Sequence, residues 1–93
     1  MLEVNEYFAG KVKSIGFQTR TLPATIGVME AGEYEFSASR HETMTVISGA
    51  MRIQLVGSDE WHTYNAGETF EVPAGRTFKA KIAAATAYFC TYG

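Results

Sequence analysis

Apolar and polar residues alternate along much of the chain with a period of two, the repeat of a strand whose successive side chains point to opposite faces. In TFKAKI, Phe78, Ala80 and Ile82 fall on one side and Lys79 and Lys81 on the other. The same alternation, or enrichment in β-branched and aromatic residues, marks KVKSIGFQ, ATIGVM, EYEFSA, TMTVIS, MRIQLV, WHTYN, TFEVP and TAYFCTY as strands. The pieces EAGE, SG, VGSDE, NAGE and PAGR between them are turn formers, with glycine available for positive φ and proline fixing its own. Alanine-rich KAKIAAATAY is the one segment with a helical claim, and the alternation of TFKAKI sets its first part as strand. QTRTLPATI carries Pro23, which cannot donate to a ladder, and reads as an exposed connection or a sheet edge. The pattern predicts an all-β fold, either a β-sandwich or a small β-barrel.

Composition narrows this to one domain spanning residues 1–93. At 93 residues and 46% hydrophobic, the chain can build one core and is too short for two. No apolar run is long enough to span a bilayer, and MLEVNEYFAG lacks the basic-then-apolar pattern of a secretion signal, so a cytoplasmic protein without a membrane partner is expected. A single cysteine, Cys90, excludes an internal disulfide. A net charge of −2 with interspersed signs argues against a nucleic acid polymer as partner, because polymer binders carry a basic stripe, and leaves small ligands open.

The stretch GETFEVPAGRTF, Gly67 to Phe78, resembles the second motif of the cupin superfamily: glycine, five residues, Pro-x-Gly, two residues, histidine. Phe78 stands where the histidine would be. Glu42 and Gly49 keep the closing spacing of the first cupin motif, and Gly32 lies upstream. Its His-x-His pair falls on Phe36 and Ala38, on Glu35 and Ser37, or on Ala38 and Arg40, depending on register, and none is histidine. Of the usual three histidines and one carboxylate only Glu42 remains, and a lone carboxylate holds a transition metal poorly. His41, His62 and Cys90 have no ligand spacing of their own. The expectation is a cupin-type fold with no metal and no cofactor.

Three longer segments, NEYFAGKVKSIGF, ETMTVISGAMRI and AYFCTY, resemble the small bacterial pyrimidine/purine nucleoside phosphorylase family over essentially the whole chain. The resemblance implies a single-domain cupin fold, a small β-barrel or double-stranded β-helix of jelly-roll type. It also implies cleavage of purine and pyrimidine nucleosides by inorganic phosphate, giving free base and ribose 1-phosphate. A non-catalytic cupin binding a small ligand or sugar is the main alternative, and a metal-dependent dioxygenase or isomerase the second.

Within that resemblance Glu42 is the catalytic candidate. It would hold ribose hydroxyls and stabilise positive charge at the anomeric carbon; a structural ion pair or a hydrogen bond to backbone is the competing role. Phosphorolysis needs no protein nucleophile but does need donors for an anion, and Lys13, Arg40, Arg52 and Arg76 are the cations available. For any single one of them a solvated surface charge is a more common role than a ligand contact. In a regular strand Ser48 points with Glu42 and Thr45 points away, which makes Ser48 a further phosphate or ribose candidate. Phe36, Phe78 and Tyr88 are the candidates to stack on a base, the other aromatics being core packing. His41, adjacent to Glu42 in a strand, would face the opposite side, and Cys90 reads as a small buried apolar residue rather than a nucleophile. Strands at both ends and an aromatic carboxyl-terminal segment predict a homodimer that covers NEYFAGKV and TAYFCTY.

Overall fold

The computed structural model describes residues 2–93 and contains ten strands. They are β1 (Glu3–Tyr7), β2 (Val12–Gln18), β3 (Pro23–Met29), β4 (Gly32–Ser37), β5 (Glu42–Ser48), β6 (Ala50–Leu55), β7 (His62–Asn65), β8 (Thr69–Val72), β9 (Thr77–Ile82) and β10 (Thr86–Tyr92). A six-stranded sheet runs β1-β2-β3-β10-β5-β8 and a four-stranded sheet runs β4-β9-β6-β7. Neighbouring strands are antiparallel throughout.

The two sheets face each other because each has one apolar face. Val12, Met29, Met44, Val46, Val72 and Cys90 project inward from the larger sheet, and Met51, Ile53, Phe78, Ala80 and Ile82 from the smaller. Burying each large aliphatic or aromatic side chain contributes about 1.5–3 kcal/mol. The alternation in TFKAKI is realised residue by residue: Phe78, Ala80 and Ile82 are buried while Lys79 and Lys81 are exposed.

Where a closed barrel would join the sheets by a ladder, the described residues show two separate sheets clamped by aromatic rings. On one side Phe8, in the β1–β2 turn, packs on Tyr34 and Phe36 of β4 at centroid distances of 5.0 and 5.4 Å. On the other, Tyr64 of β7 stacks on Phe70 of β8 at 4.6 Å. Phe8 and Ala9 both adopt positive φ, 53° and 58°, a conformation that costs non-glycine residues about 1–2 kcal/mol each. Contact of the Phe8 ring with β4 offsets that cost.

Three segments bear on the local expectations. Segment β1 has no apolar face, being exposed along nearly its whole length, so its alternation carries no signal. Of the two readings of QTRTLPATI the connection holds and the edge does not: residues 19–22 link β2 to β3, with Arg20 and Thr21 exposed, and Pro23 opens β3, an interior strand, where the first residue owes no ladder hydrogen bond. The connection before it, residues 19–22, is held by Thr19, whose Oγ1 donates to the Leu22 carbonyl at 2.7 Å and accepts from the Leu22 amide at 2.9 Å. KAKIAAATAY divides into the end of β9, a turn and the start of β10, with no helix.

Candidate functional site

Strand alternation decides which side chains of β10 enter the space between the sheets. Thr86, Tyr88, Cys90 and Tyr92 are cross-strand neighbours of inward residues on β5 and β3, whereas Ala87, Phe89 and Thr91 belong to the outer face. Glu42, opposite Tyr92, Met44, opposite Cys90, and Val46, opposite Tyr88, share that inner face. From the other sheet, Phe36 and Phe78 are direct partners across the β4–β9 ladder, with rings stacked 5.3 Å apart at 29°. These are the positions at which the metal-binding pattern would put histidine, and an aromatic pair occupies them.

Glu42, Phe36, Phe78, Met29, Met44 and the two tyrosines of β10 line a cavity of about 260 Å³. Exposed Tyr7, Ser37 and Ser39 mark its open side, and Ser14 reaches it from β2. Its volume lies just under the usual range for sites that hold one small molecule, about 300–1,000 Å³.

Within this cavity the ionisable groups are biased by burial. The Glu42 carboxyl is held above the ordinary carboxylate range by desolvation, partly offset by the Cys90 thiol, which donates to its Oε1 at 3.7 Å. Burial, reinforced by the nearby Glu42 charge, pushes the Cys90 thiol up to about 12, so it stays protonated and unreactive as a nucleophile. Burial pushes the Tyr88 phenol up to about 12 despite its hydrogen bond with Ser14. Tyr92 is raised as well, chiefly by burial, with its hydroxyl 2.9 Å from Thr25 Oγ1. Both tyrosines therefore remain neutral hydroxyl donors across the physiological range. The carboxylate is the one group in the cavity able to carry charge there.

Glycine at position 27 makes room for this arrangement. A Cβ there would lie 2.5 Å from Tyr88 Oη and 2.8 Å from the Lys13 carbonyl oxygen, closer than a side chain tolerates.

Of the expected site residues, Glu42, Phe36, Phe78 and Tyr88 are brought together. Ser48 is a correction. The β5–β10 register pairs Val46 with Tyr88 and Ser48 with Ala87, so Ile47 bulges out and Ser48 turns to the outer, exposed face. None of the four cations lines the cavity. Lys13 pairs with Glu6 at 3.5 Å on the outside of the larger sheet. The Arg52 guanidinium lies 5.6 Å from the Trp61 ring on the outer face of the smaller sheet, beside Lys81 at 4.4 Å. Arg76 donates to the Val56 carbonyl at 3.1 Å. Arg40 is exposed and directly follows Ser39 of the cavity's open side. His41 pairs with Glu71 at 3.0 Å away from the cavity, and His62 with Glu60 at 3.4 Å. No group of three or more His, Cys, Asp or Glu side chains converges among the described residues.

Sequence reasoning gave no site role to Ser14, Thr25 and Tyr92, and read Cys90 as a small buried residue rather than a nucleophile, as its burial bears out. The signal was available for two of them: in TAYFCTY the period of two puts Cys90 and Tyr92 on the face of Tyr88.

The family model for pyrimidine/purine nucleoside phosphorylases matches residues 2–92. A pyrimidine/purine nucleoside phosphorylase from Hahella chejuensis is 63% identical over 93 residues, with both chains covered completely. A crystal structure of a protein of unknown function from Vibrio parahaemolyticus superposes with a TM-score of 0.96 at 42% identity, covering 100% of this chain and 99% of that one. An RmlC-like cupin from Shewanella frigidimarina shares the fold at a TM-score of 0.76 and 20% identity, over 98% of this chain and 82% of that one.

Proposed function

The chain belongs to the pyrimidine/purine nucleoside phosphorylase family and is a nucleoside phosphorylase, and on that premise we propose that the reaction takes place in the Glu42 cavity between the sheets. The observation that carries this reading is one chargeable carboxylate, raised by burial, set among stacked rings and neutral hydroxyls. Nucleoside phosphorolysis breaks the bond between the anomeric carbon and the base nitrogen while a phosphate oxygen bonds to that carbon. The base leaves with the electron pair and takes up a proton. Positive charge grows on the sugar in the transition state, and an ionised Glu42 in a desolvated setting stabilises it more strongly than water does.

The base stacks on Phe36 and Phe78. Apart from Glu42, the cavity is lined by aromatic rings, methionines and hydroxyls, with no amide side chain to read a base edge. Recognition through the π face accepts purines and pyrimidines alike, because every base has one. Phosphate, the co-substrate, approaches at the open side, where Ser37 and Ser39 offer hydroxyls and Arg40 is the nearest of the candidate cations in sequence. With Phe36, Ala38 and Phe78 at ligand positions, the chemistry runs without a metal or other cofactor. The two facing sheets form the small cupin double-stranded β-helix of jelly-roll type, a reading supported by the likeness to the Shewanella cupin.

The protein works as a homodimer. Val4, Ile15 and Ile26 form a continuous cross-strand row on the outer face of the larger sheet, 65%, 44% and 46% exposed. With Val28 beside Ile26 on β3, about half exposed, they make an apolar patch that self-association would cover. Of the carboxyl-terminal aromatics expected at that interface, Tyr88 and Tyr92 point inward and line the cavity, while Phe89 lies on the outer face opposite Ile26.

Incubation with uridine or adenosine, with and without phosphate and with a chelator, tests the reading by chromatography of the products. It predicts phosphate-dependent, chelator-insensitive release of free base together with ribose 1-phosphate. Release without phosphate, or its loss on chelation, overturns it.

A further inference from the structure

Four polar side chains from three strands stand in line behind the cavity. Thr25 on β3 meets the Tyr92 hydroxyl at 2.9 Å, Tyr92 lies beside Cys90 on the same inward face of β10, two residues along, and the Cys90 thiol donates to Glu42 Oε1 at 3.7 Å. Glu42 and Tyr92 are also direct partners in the β5–β10 ladder, and Cys90 faces Met44 one inward step along. The larger sheet thus holds one face of the carboxylate by a chain that ends on a separate strand. Tyr92 further separates two spaces: it lines the Glu42 cavity on one side and, with Thr25, a groove between β1, β2 and β3 on the other.

We propose that Tyr92, anchored by Thr25, is a positioning residue for Glu42: it fixes the Cys90 thiol against the carboxylate and thereby sets both its orientation and its ionisation. The proposal rests on the reading of Glu42 as the charged group of the reaction. A donor to a carboxylate favours its ionised form. The ionisable side chains facing the Glu42 cavity are Tyr88, Cys90 and Tyr92 from β10 and Tyr7 from β1, while β8 presents Val72 opposite Glu42. No cation on these elements compensates if the chain is cut. Loss of the Tyr92 hydroxyl both frees the thiol and leaves a more apolar surface, and each change disfavours the carboxylate.

The test uses Tyr92→Phe and Thr25→Val, near-isosteric changes that keep the ring and the strand, alongside Glu42→Gln. Rates are measured against nucleoside at saturating phosphate over a range of pH. The expected result is a fall of roughly 10-fold in kcat with KM little changed, and an acid limb of kcat/KM displaced upward by about half a pH unit in both variants. A residue serving only the fold would lower the melting temperature and leave that limb in place. In the Tyr92→Phe background, Thr25→Val adds nothing further, because the partner it would lose is already gone. An unchanged limb in Tyr92→Phe, with Glu42→Gln inactive, overturns the positioning role alone. Full turnover by Glu42→Gln overturns the reading of Glu42 and this inference together.

Discussion

Adding one methyl group at position 27 should damage fold and site through the same contact. The Cβ of Gly27→Ala would sit 2.5 Å from Tyr88 Oη, 2.6 Å from Tyr88 Cζ and 2.8 Å from the Lys13 carbonyl oxygen. The carbonyl cannot retreat, since Ser14 is held opposite Gly27 in the β2–β3 ladder. Tyr88 must therefore swing away, losing Ser14, or the strands must part. Overpacking of this kind costs about 1–3 kcal/mol, and the lost hydrogen bond about 0.5–1.5 kcal/mol. A combined 2–4 kcal/mol corresponds to a fall of about 10–20 °C in Tm for a domain of this size, at about 5 °C per kcal/mol. Calorimetry and urea titration read the stability, and nucleoside turnover reads the site. Tyr88→Phe in the same background removes the closest atom and should restore about 1 kcal/mol of stability without restoring activity. A Gly27→Ala variant with Tm within about 2 °C of the parent would refute the claim that β3 is glycine at this point because Tyr88 lies over it.

Glu42→Gln should lose roughly 100-fold in kcat, the scale of removing one electrostatic stabiliser of a transition state, while staying folded. It should also be more stable than the parent near neutral pH. A carboxyl raised by burial binds its proton more tightly folded than unfolded, so its ionisation destabilises the fold as pH rises through the folded pKa, and the advantage of glutamine should vanish in acid. Thermal melts of both proteins at several pH values check the sign. Sedimentation equilibrium should return twice the 10.2 kDa chain mass, and Ile26→Asp, on the exposed apolar row, should shift it to monomer or aggregate; a well-behaved monomeric parent would sink the dimer.

Most of the secondary structure was legible because a sheet with one buried face writes its period into the chain. TFKAKI, TMTVIS and TAYFCTY read correctly for that reason. β1 did not, since a strand exposed on both faces has no apolar set to alternate. Glu42, Phe36, Phe78 and Tyr88 were reachable through spacing and resemblance, and the structure gathers them. Ser48 failed because one bulged residue, Ile47, reverses the parity of everything after it. The Thr25–Tyr92–Cys90 chain was hidden for another reason: Thr25 meets Tyr92 across 67 positions of sequence, and only the order β3-β10-β5 makes them neighbours. Cations were hardest to place, because long charged side chains end wherever solvent or a ring receives them, as Arg52 does on Trp61.

The central claim, that the nucleoside lies between the sheets beside Glu42 and against Phe36 and Phe78, is open to one direct measurement. Methyl-labelled methionine gives few signals in this chain: Met29 and Met44 line the cavity, whereas Met51 is wholly buried away from it. Adding uridine or adenosine to saturation in the Glu42→Gln variant, with turnover suppressed, should move the Met29 and Met44 methyl resonances by the ring current of the bound base and leave Met51 in place. A spectrum in which Met29 and Met44 stay fixed under saturating nucleoside would contradict the site.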